Sequence, residues 1–223
     1  MMISPKYYYE ENLKGKTVQE IQSKIQGLKN KITRLKRKME NADDFKQKVP
    51  GPSLDTQLTY TRQYLEKAKQ SLVEAGGSYK PSKAEQKADL FDSSLPYISK
   101  IIFSVGAYTS DNYEKRIVTF DENHLYMASS SSFYVSLDDV ERIKDYPCGK
   151  DEFLYQLKAL HIGEWNSSYD NPYVLDGTNW NLEIHFSNEH KKVRIFGSNA
   201  YPYNFKDFCN LMGIEGKLAI LDD

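Results

Sequence analysis

Seven apolar residues, Val18, Ile21, Ile25, Leu28, Ile32, Leu35 and Met39, recur at alternating spacings of three and four. That is the a/d seam of a heptad repeat, and it commits residues 17–40 to one amphipathic helix with a single apolar stripe. Thr17 followed by Glu20 has the capping-box pattern, in which a hydroxyl and a carboxylate satisfy the first free amides reciprocally. Gly27 lowers helix stability by about 1 kcal/mol but falls off the seam. A second stripe follows in Leu54, Leu58, Thr61, Leu65, Ala68, Leu72 and Ala75, with Ser53 or Asp55 available as its cap. Gly76-Gly77 ends it. Between the two stripes, Pro50-Gly51-Pro52 cannot continue a helix. Residues 1–77 are therefore expected to form an antiparallel helical hairpin, with Ile25, Leu28, Ile32 and Leu35 buried against Leu58, Thr61, Leu65 and Leu72.

The dressing of the first seam carries the charge. Between Lys14 and Lys38 stand nine basic residues and one acid, Glu20. Lys24, Lys31 and Lys38 occupy g positions, Lys29 and Lys36 occupy e positions, and Arg34 and Arg37 add to the surface. The a/d identities alone favour a parallel dimer. In such a dimer Lys24 would meet Lys29, and Lys31 would meet Lys36. Like charges facing each other disfavour a parallel coiled-coil homodimer, so packing on the second helix of the same chain is expected. The whole protein has a net charge of −1, yet residues 1–50 hold 12 Lys and Arg against 6 Asp and Glu, and the remainder holds 18 against 25. Lys24, Lys29, Lys31, Arg34, Lys36, Arg37 and Lys38 are thus the candidate contact residues for nucleic acid or for an acidic protein surface.

Beyond residue 77 the pattern changes. Residues 78–95 read as a polar linker with a short helix near Ser82–Phe91, and residues 96–223 as an α+β domain. Its strands are expected from Ile98 to Val105, from Tyr113 to Phe120, at Leu125–Met127 and at Phe133–Val135. Later come the alternating Trp180, Leu182, Ile184 and Phe186, and then Lys191–Phe196. Helices are expected at Leu137–Tyr146, at Glu152–Ile162 with Asp151 as cap, and at Tyr203–Met212. Gly197–Pro202 reads as a loop. The fold class is α+β, a helical hairpin followed by antiparallel sheet with helices.

Leu175-Asp176-Gly177-Thr178-Asn179-Trp180-Asn181-Leu182-Glu183-Ile184, followed by Gly197-Ser198-Asn199-Ala200-Tyr201-Pro202-Tyr203-Asn204-Phe205, resembles a signature of uncharacterised bacterial proteins. Ile162-Gly163-Glu164-Trp165 extends it. The resemblance implies a folded module over about a quarter of the chain and carries no catalytic residue with it. Read from chemistry alone, Asp176-Gly177 is a turn and Trp180 a core anchor. The alternative is that Trp165, Tyr169, Tyr173, Tyr201 and Tyr203 line an aromatic patch for a partner.

Catalytic templates are absent from the sequence. There is no GxGxxG, Walker-type loop, HExxH or CxxC, and Cys148 and Cys209 stand 61 positions apart in no metal-type spacing. No metal and no cofactor is expected. Asp43-Asp44, Asp138-Asp139 and Asp151-Glu152 sit at expected helix starts, where the helix dipole explains them, and Asp222-Asp223 is solvated. The strongest catalytic alternative groups Glu183, His185 and Arg194, with His190 across a turn, as an acid–base set for a phosphodiester. The start of the chain lacks the apolar run of a signal peptide, and no segment reaches the roughly 18–20 apolar residues of a membrane span. A cytoplasmic location without a membrane partner is expected. The function expected is a non-enzymatic macromolecular interaction protein. The alternatives are a mobile-element or phage inhibitor that sequesters a host nucleic-acid-targeting defence complex, and a small phosphodiesterase or nuclease.

Overall fold

The computed structural model describes residues 3–41, 51–107, 113–121, 124–130, 141–143, 149–174 and 177–214, and divides into two compact units, residues 1–81 and 82–223.

The first unit is built on the heptad seam. Helix α2, Val18–Glu40, begins with both halves of the capping box: Glu20 N–H donates to Thr17 Oγ1 at 3.3 Å, and Thr17 N–H to Glu20 Oε2 at 2.9 Å. The Thr17 amide, then the Lys16 ammonium, holds the Glu20 carboxyl down at about 2. Helix α3, Leu54–Glu74, is capped by Ser53, which leaves Asp55 in the first turn, beside the positive end of the dipole. Ile21, Ile25, Leu28, Leu35 and Met39 of α2 are buried, as are Leu58, Thr61, Leu65, Ala68 and Leu72 of α3. Ile32 does not follow the expectation of full burial; it lies half-buried at the margin of the cluster. The seam tolerates Thr61 and Ser71 because each hydroxyl donates back to its own helix, at 2.6 Å to Gln57 O and 2.9 Å to Lys67 O.

A further helix, α1 (Pro5–Asn12), has no counterpart in the sequence expectations. It starts with Pro5 after the cap Ser4, an arrangement that suits proline because the first amide has no helical partner. Tyr64 of α3 holds this segment. Its ring stacks on Tyr8 at 4.2 Å with planes 10° apart, and its hydroxyl donates to Ile3 O while accepting from Ile3 N–H at 3.1 Å. Leu13, at the end of α1, is 2% exposed and joins the same cluster.

The second unit opens with α4, Lys83–Ser94, whose capping box is Ser82 with Glu85. The short helix expected near Ser82–Phe91 is thus present, and its Phe91 together with the following Leu95 belongs to the core of this unit. Among the described residues the sheet has seven strands: β1 Ile98–Gly106, β2 Glu114–Phe120, β3 Leu125–Ser130, β4 Glu141–Ile143, β5 Ser168–Asp170, β6 Asn179–Phe186 and β7 Val193–Ser198. Their order is β4-β3-β2-β1-β6-β7-β5, antiparallel throughout except that β5 runs parallel to β7 at the edge. Registers such as Ile101↔Val118 and Ile101↔Ile184 put Ile101, Phe103, Val105, Val118, Trp180, Leu182 and Ile184 on one face. Helices α5 (Lys150–Ala159) and α6 (Phe205–Leu211) cover that face, with Phe208 packed edge-on against Phe103 at 4.9 Å and Phe153 against Phe120 at 5.6 Å.

Several expectations are corrected here. Glu141–Ile143 is strand β4 on the outer side of β3 and not part of a helix, because Met127, Ala128 and Ser129 supply a pairing edge that outweighs local propensity. The cap of α5 is Gly149, and Asp151 sits in the first turn. Gly197 and Ser198 belong to β7 and not to a loop. The expected strand Phe133–Val135 lies outside the described residues, as do residues 137–140 and 144–146 of the expected helix.

One buried charge ties sheet to helix. Arg116 is 2% exposed on the covered face of β2. Its Nη1 meets Glu114 Oε2 at 2.5 Å, and its Nη2 donates to Gly213 O at 3.3 Å, just past the end of α6. A cation beside that carbonyl opposes the negative end of the helix, and Gly213, with φ 66°, permits the left-handed close.

Two stability outcomes follow from these contacts. Leu72→Ala empties a seam site that is 1% exposed and should lower unfolding free energy by about 2–5 kcal/mol, while Val73→Ala next to it, 63% exposed, stays within about 0.5 kcal/mol. Denaturant unfolding of both variants checks this. Arg116→Ala should cost about 1.5–3 kcal/mol by the same measurement, since it removes the buried guanidinium from the Glu114 carboxylate and from Gly213 O.

Candidate functional site

The basic face of α2 is the first candidate. Lys24, Lys31, Arg34 and Lys38 fall at spacings of seven, three and four, so they share one shoulder of the helix beside the seam. Lys24 is exposed, and its ammonium lies 3.4 Å from Asn12 Oδ1. Arg34, Arg37 and Lys38 are exposed and Lys31 half-buried. No described acidic residue pairs with any of these four. Lys14 and Lys16, nearer the start, are already engaged by Glu10 and Glu20 at 2.7 and 3.0 Å.

Lys29 and Lys36 lie half-buried on the opposite flank. Lys29 is not part of the solvated row. Its ammonium donates to the Tyr79 hydroxyl at 3.3 Å and stands 5.7 Å from that ring, while Lys69 of α3 stands 4.9 Å from it. A phenol between two ammonium groups draws on its π-face to offset their repulsion. Tyr79 was not singled out from the sequence, because it lies past the Gly76-Gly77 stop, where no period marks it.

The proposed aromatic patch does not assemble on the surface. Trp165 and Tyr169 are 1% and 9% exposed, Tyr201 and Tyr203 are half-buried, and Tyr173 alone is open, at 93%. The residues of the C-terminal signature are instead tied to one another. Trp180 lies 6.2 Å from Trp165, 5.7 Å from Tyr169 and 4.9 Å from Phe205, centroid to centroid. Its indole N–H donates to Ala200 O at 2.9 Å, and the Trp165 indole donates to Asn204 Oδ1 at 3.0 Å. Asn204 Nδ2 in turn reaches Leu160 O at 2.6 Å. Glycines make room. A Cβ on Gly197 would stand 2.1 Å from the Trp180 ring nitrogen, and one on Gly177 would stand 1.8 Å from Asn199 Oδ1. Asn199 adopts φ 53° and accepts from Thr178 N–H at 2.8 Å.

The acid–base candidates do share a face. Glu183, His185 and Arg194 lie on the side of the sheet away from the helices, and Lys192, not anticipated, joins them. Glu183 Oε2 meets His185 Nε2 at 3.2 Å and Lys192 Nζ at 3.0 Å, and Oε1 meets Arg194 Nε at 3.1 Å. Burial pushes the Glu183 carboxyl up, but Lys192, then Arg194 and His185, outweigh it and hold the group below its ordinary value. Both oxygens are occupied by cations, the arrangement of a cross-strand charge cluster. His190 stands apart from it, 4.3 Å from the Phe186 ring.

Among the described residues no group of three or more His, Cys, Asp or Glu is placed to hold a metal ion, and no helix is long and apolar enough to cross a membrane. Cys209 is a free thiol that burial pushes up to about 12, which removes it as a nucleophile. Cys148 lies outside the described residues, as do Asp43-Asp44, Asp138-Asp139 and Asp222-Asp223. No family model matches the chain, and no curated protein or solved structure matches it significantly.

The Glu183 cluster makes a pH-dependent statement. Because its folded pKa is depressed, the stabilisation it gives is complete above the ordinary carboxylate range and is lost as pH falls through the lowered value. In a carbon-detected NMR titration, Glu183 should protonate below the ordinary glutamate range. In a Lys192→Ala/Arg194→Ala double variant the opposing burial should dominate, and the midpoint should move upward.

Proposed function

We propose that the protein is a non-enzymatic interaction protein that engages a polyanionic macromolecule, matched best by a nucleic-acid backbone, through the basic shoulder of α2. The observation that carries this reading is the row Lys24, Lys31, Arg34 and Lys38, with Arg37 beside it. At about 1.5 Å per residue the row extends for about 21 Å along a helix whose adjoining apolar stripe is buried in the hairpin. A packed helix holds its cations in place before a partner arrives, so little backbone ordering is needed on binding. The sheet supports the non-enzymatic part of the reading, since the Glu183 carboxylate of the acid–base candidate set is engaged on both oxygens, by Lys192, Arg194 and His185.

Binding of this kind acts through phosphate neutralisation and counterion release. Affinity for RNA or DNA should fall with salt on a log–log slope of about −0.7 to −0.9 per phosphate contacted. Changing Lys31, Arg34, Arg37 and Lys38 together to Gln should weaken binding across sequences and flatten that slope, with unfolding free energy held within about 0.5 kcal/mol per site. Titration of labelled single- and double-stranded oligonucleotides at two salt concentrations, with polyglutamate as the protein-like comparison, checks it. Equal binding by wild type and the four-fold variant sinks the assignment to α2, and preference for polyglutamate moves the partner to an acidic protein.

A further inference from the structure

A cleft of about 950 Å³ lies in the second unit between α4 and the β6–β7 hairpin. Its floor is apolar, formed by Phe91, Ile162 and Ile195, and Leu90 and Tyr97 stand 58% and 51% exposed at its rim. Cations dominate the lining charge, with Lys87, Lys191, Lys192 and Arg194 against Glu189. Glu183 outside the cleft draws on Lys192 and Arg194, and Lys87 reaches Trp165 O at 3.1 Å, yet positive charge remains in excess.

One wall of this cleft is main chain. The parallel pairing of β5 with β7 begins at Ser168↔Phe196, so among the described residues no strand lies alongside Val193–Ile195 on that side. Phe196 N–H points to β5, donating to Ser167 O at 3.3 Å. Strand hydrogen-bonding direction alternates along the chain, so the N–H and C=O of Arg194, two residues earlier, point the same way and open into the cleft. The chain ahead of β5 cannot fill this place, because it turns away at Ile162–Glu164, where Gly163 is pressed against Ala88 and Phe91.

We propose that this cleft takes an extended acidic peptide of a partner protein, which adds as a strand along β7 in line with β5. Strand addition supplies the main-chain hydrogen bonds, and alternate side chains supply selectivity. In that geometry one set of residues faces the apolar floor under Leu90 and Tyr97. Carboxylates flanking it meet Lys191 and Lys87. A strand-forming edge with an apolar floor favours a peptide over a small amphipathic anion, which can accept from the Arg194 N–H but has no donor for its C=O. The site is separate from α2 and does not depend on the reading given above.

The test uses the full chain and a short fluorescein-labelled peptide of alternating Glu and Val, read by anisotropy. The peptide should bind saturably, and its alternating Lys and Val counterpart should not. A Glu–Val peptide N-methylated at every backbone amide, which cannot donate from either edge, should bind about tenfold more weakly or worse. Arg194→Pro removes the amide that faces the cleft without touching one that faces β6, a position where edge strands accept proline. It should lose about tenfold in affinity relative to Arg194→Ala, and Lys191→Glu about fivefold relative to wild type, both ratios reading directly as differences in binding free energy. If Arg194→Pro fails to unfold cooperatively, the N-methylated peptide and Lys191→Glu decide the matter. Absence of saturable peptide binding, saturable binding of decanoate in its place, equal binding of the N-methylated peptide, or equal binding of the Lys–Val peptide overturns the proposal.

Discussion

The contact between Trp180 and Gly197 organises the second unit. An indole of this size lies beside a neighbouring strand only where that strand has no side chain, and a Cβ at position 197 would stand 2.1 Å from the ring nitrogen. The space so opened lets Trp180 touch Trp165, Tyr169 and Phe205 at once, which joins the turn before β5, β5 itself and α6 to the middle of the sheet. Both indole N–H groups then find acceptors, Ala200 O and Asn204 Oδ1, so the large apolar burial carries no unmet polar cost. The close approach of Asn199 to Gly177 and the left-handed backbone of Asn199 are the matching conditions beside the register Trp180↔Gly197.

The first unit rests on a different economy of side chains. Its seam buries aliphatic residues in a narrow stripe, and the helix surface beyond that stripe is left to charge. Ala68 is fully buried within this cluster, while the cationic residues of α2 remain on its shoulders. A cationic row on a well-packed helix costs the fold little, for exposed like charges repel weakly across a high-dielectric solvent. The row is thereby free to be set by a partner and not by folding.

What could be read from the sequence tracks the range of the interaction. The α2–α3 pairing was legible because period and caps are written within a single helix, and β1, β2 and β6 were legible because apolar alternation marks a half-buried strand. Elements held by one distant side chain were not. Helix α1 is docked by Tyr64, whose stacking on Tyr8 leaves no trace in either segment's pattern. Strand β4 exists because β3 offers an edge, and β5 because β7 does, while three residues are too few to show a period. At the candidate sites, the charges of α2 were plain, but the fate of Lys29 depended on Tyr79 fifty positions away. Trp180 reads as a core anchor and is one, whereas the alternative of a surface patch does not hold for Trp165 and Tyr169, which the indole N–H acceptors and the ring-sized gap at Gly197 place inside.

Sheet order also governs how such a chain emerges during synthesis. Strand β1 is flanked by β2, which follows it within a few residues, and by β6, which begins at Asn179. Until the ribosome has released that later segment, one side of β1 carries open amides and carbonyls along Ile101, Ile102 and Phe103, a short apolar run suited to pairing with another nascent chain. The helical unit, whose contacts are close in sequence, is complete well before then. Ribosome-bound intermediates of this protein are therefore folded at one end and adhesive at the other, and the interval between the emergence of β1 and of β6 is when a chaperone has something to hold.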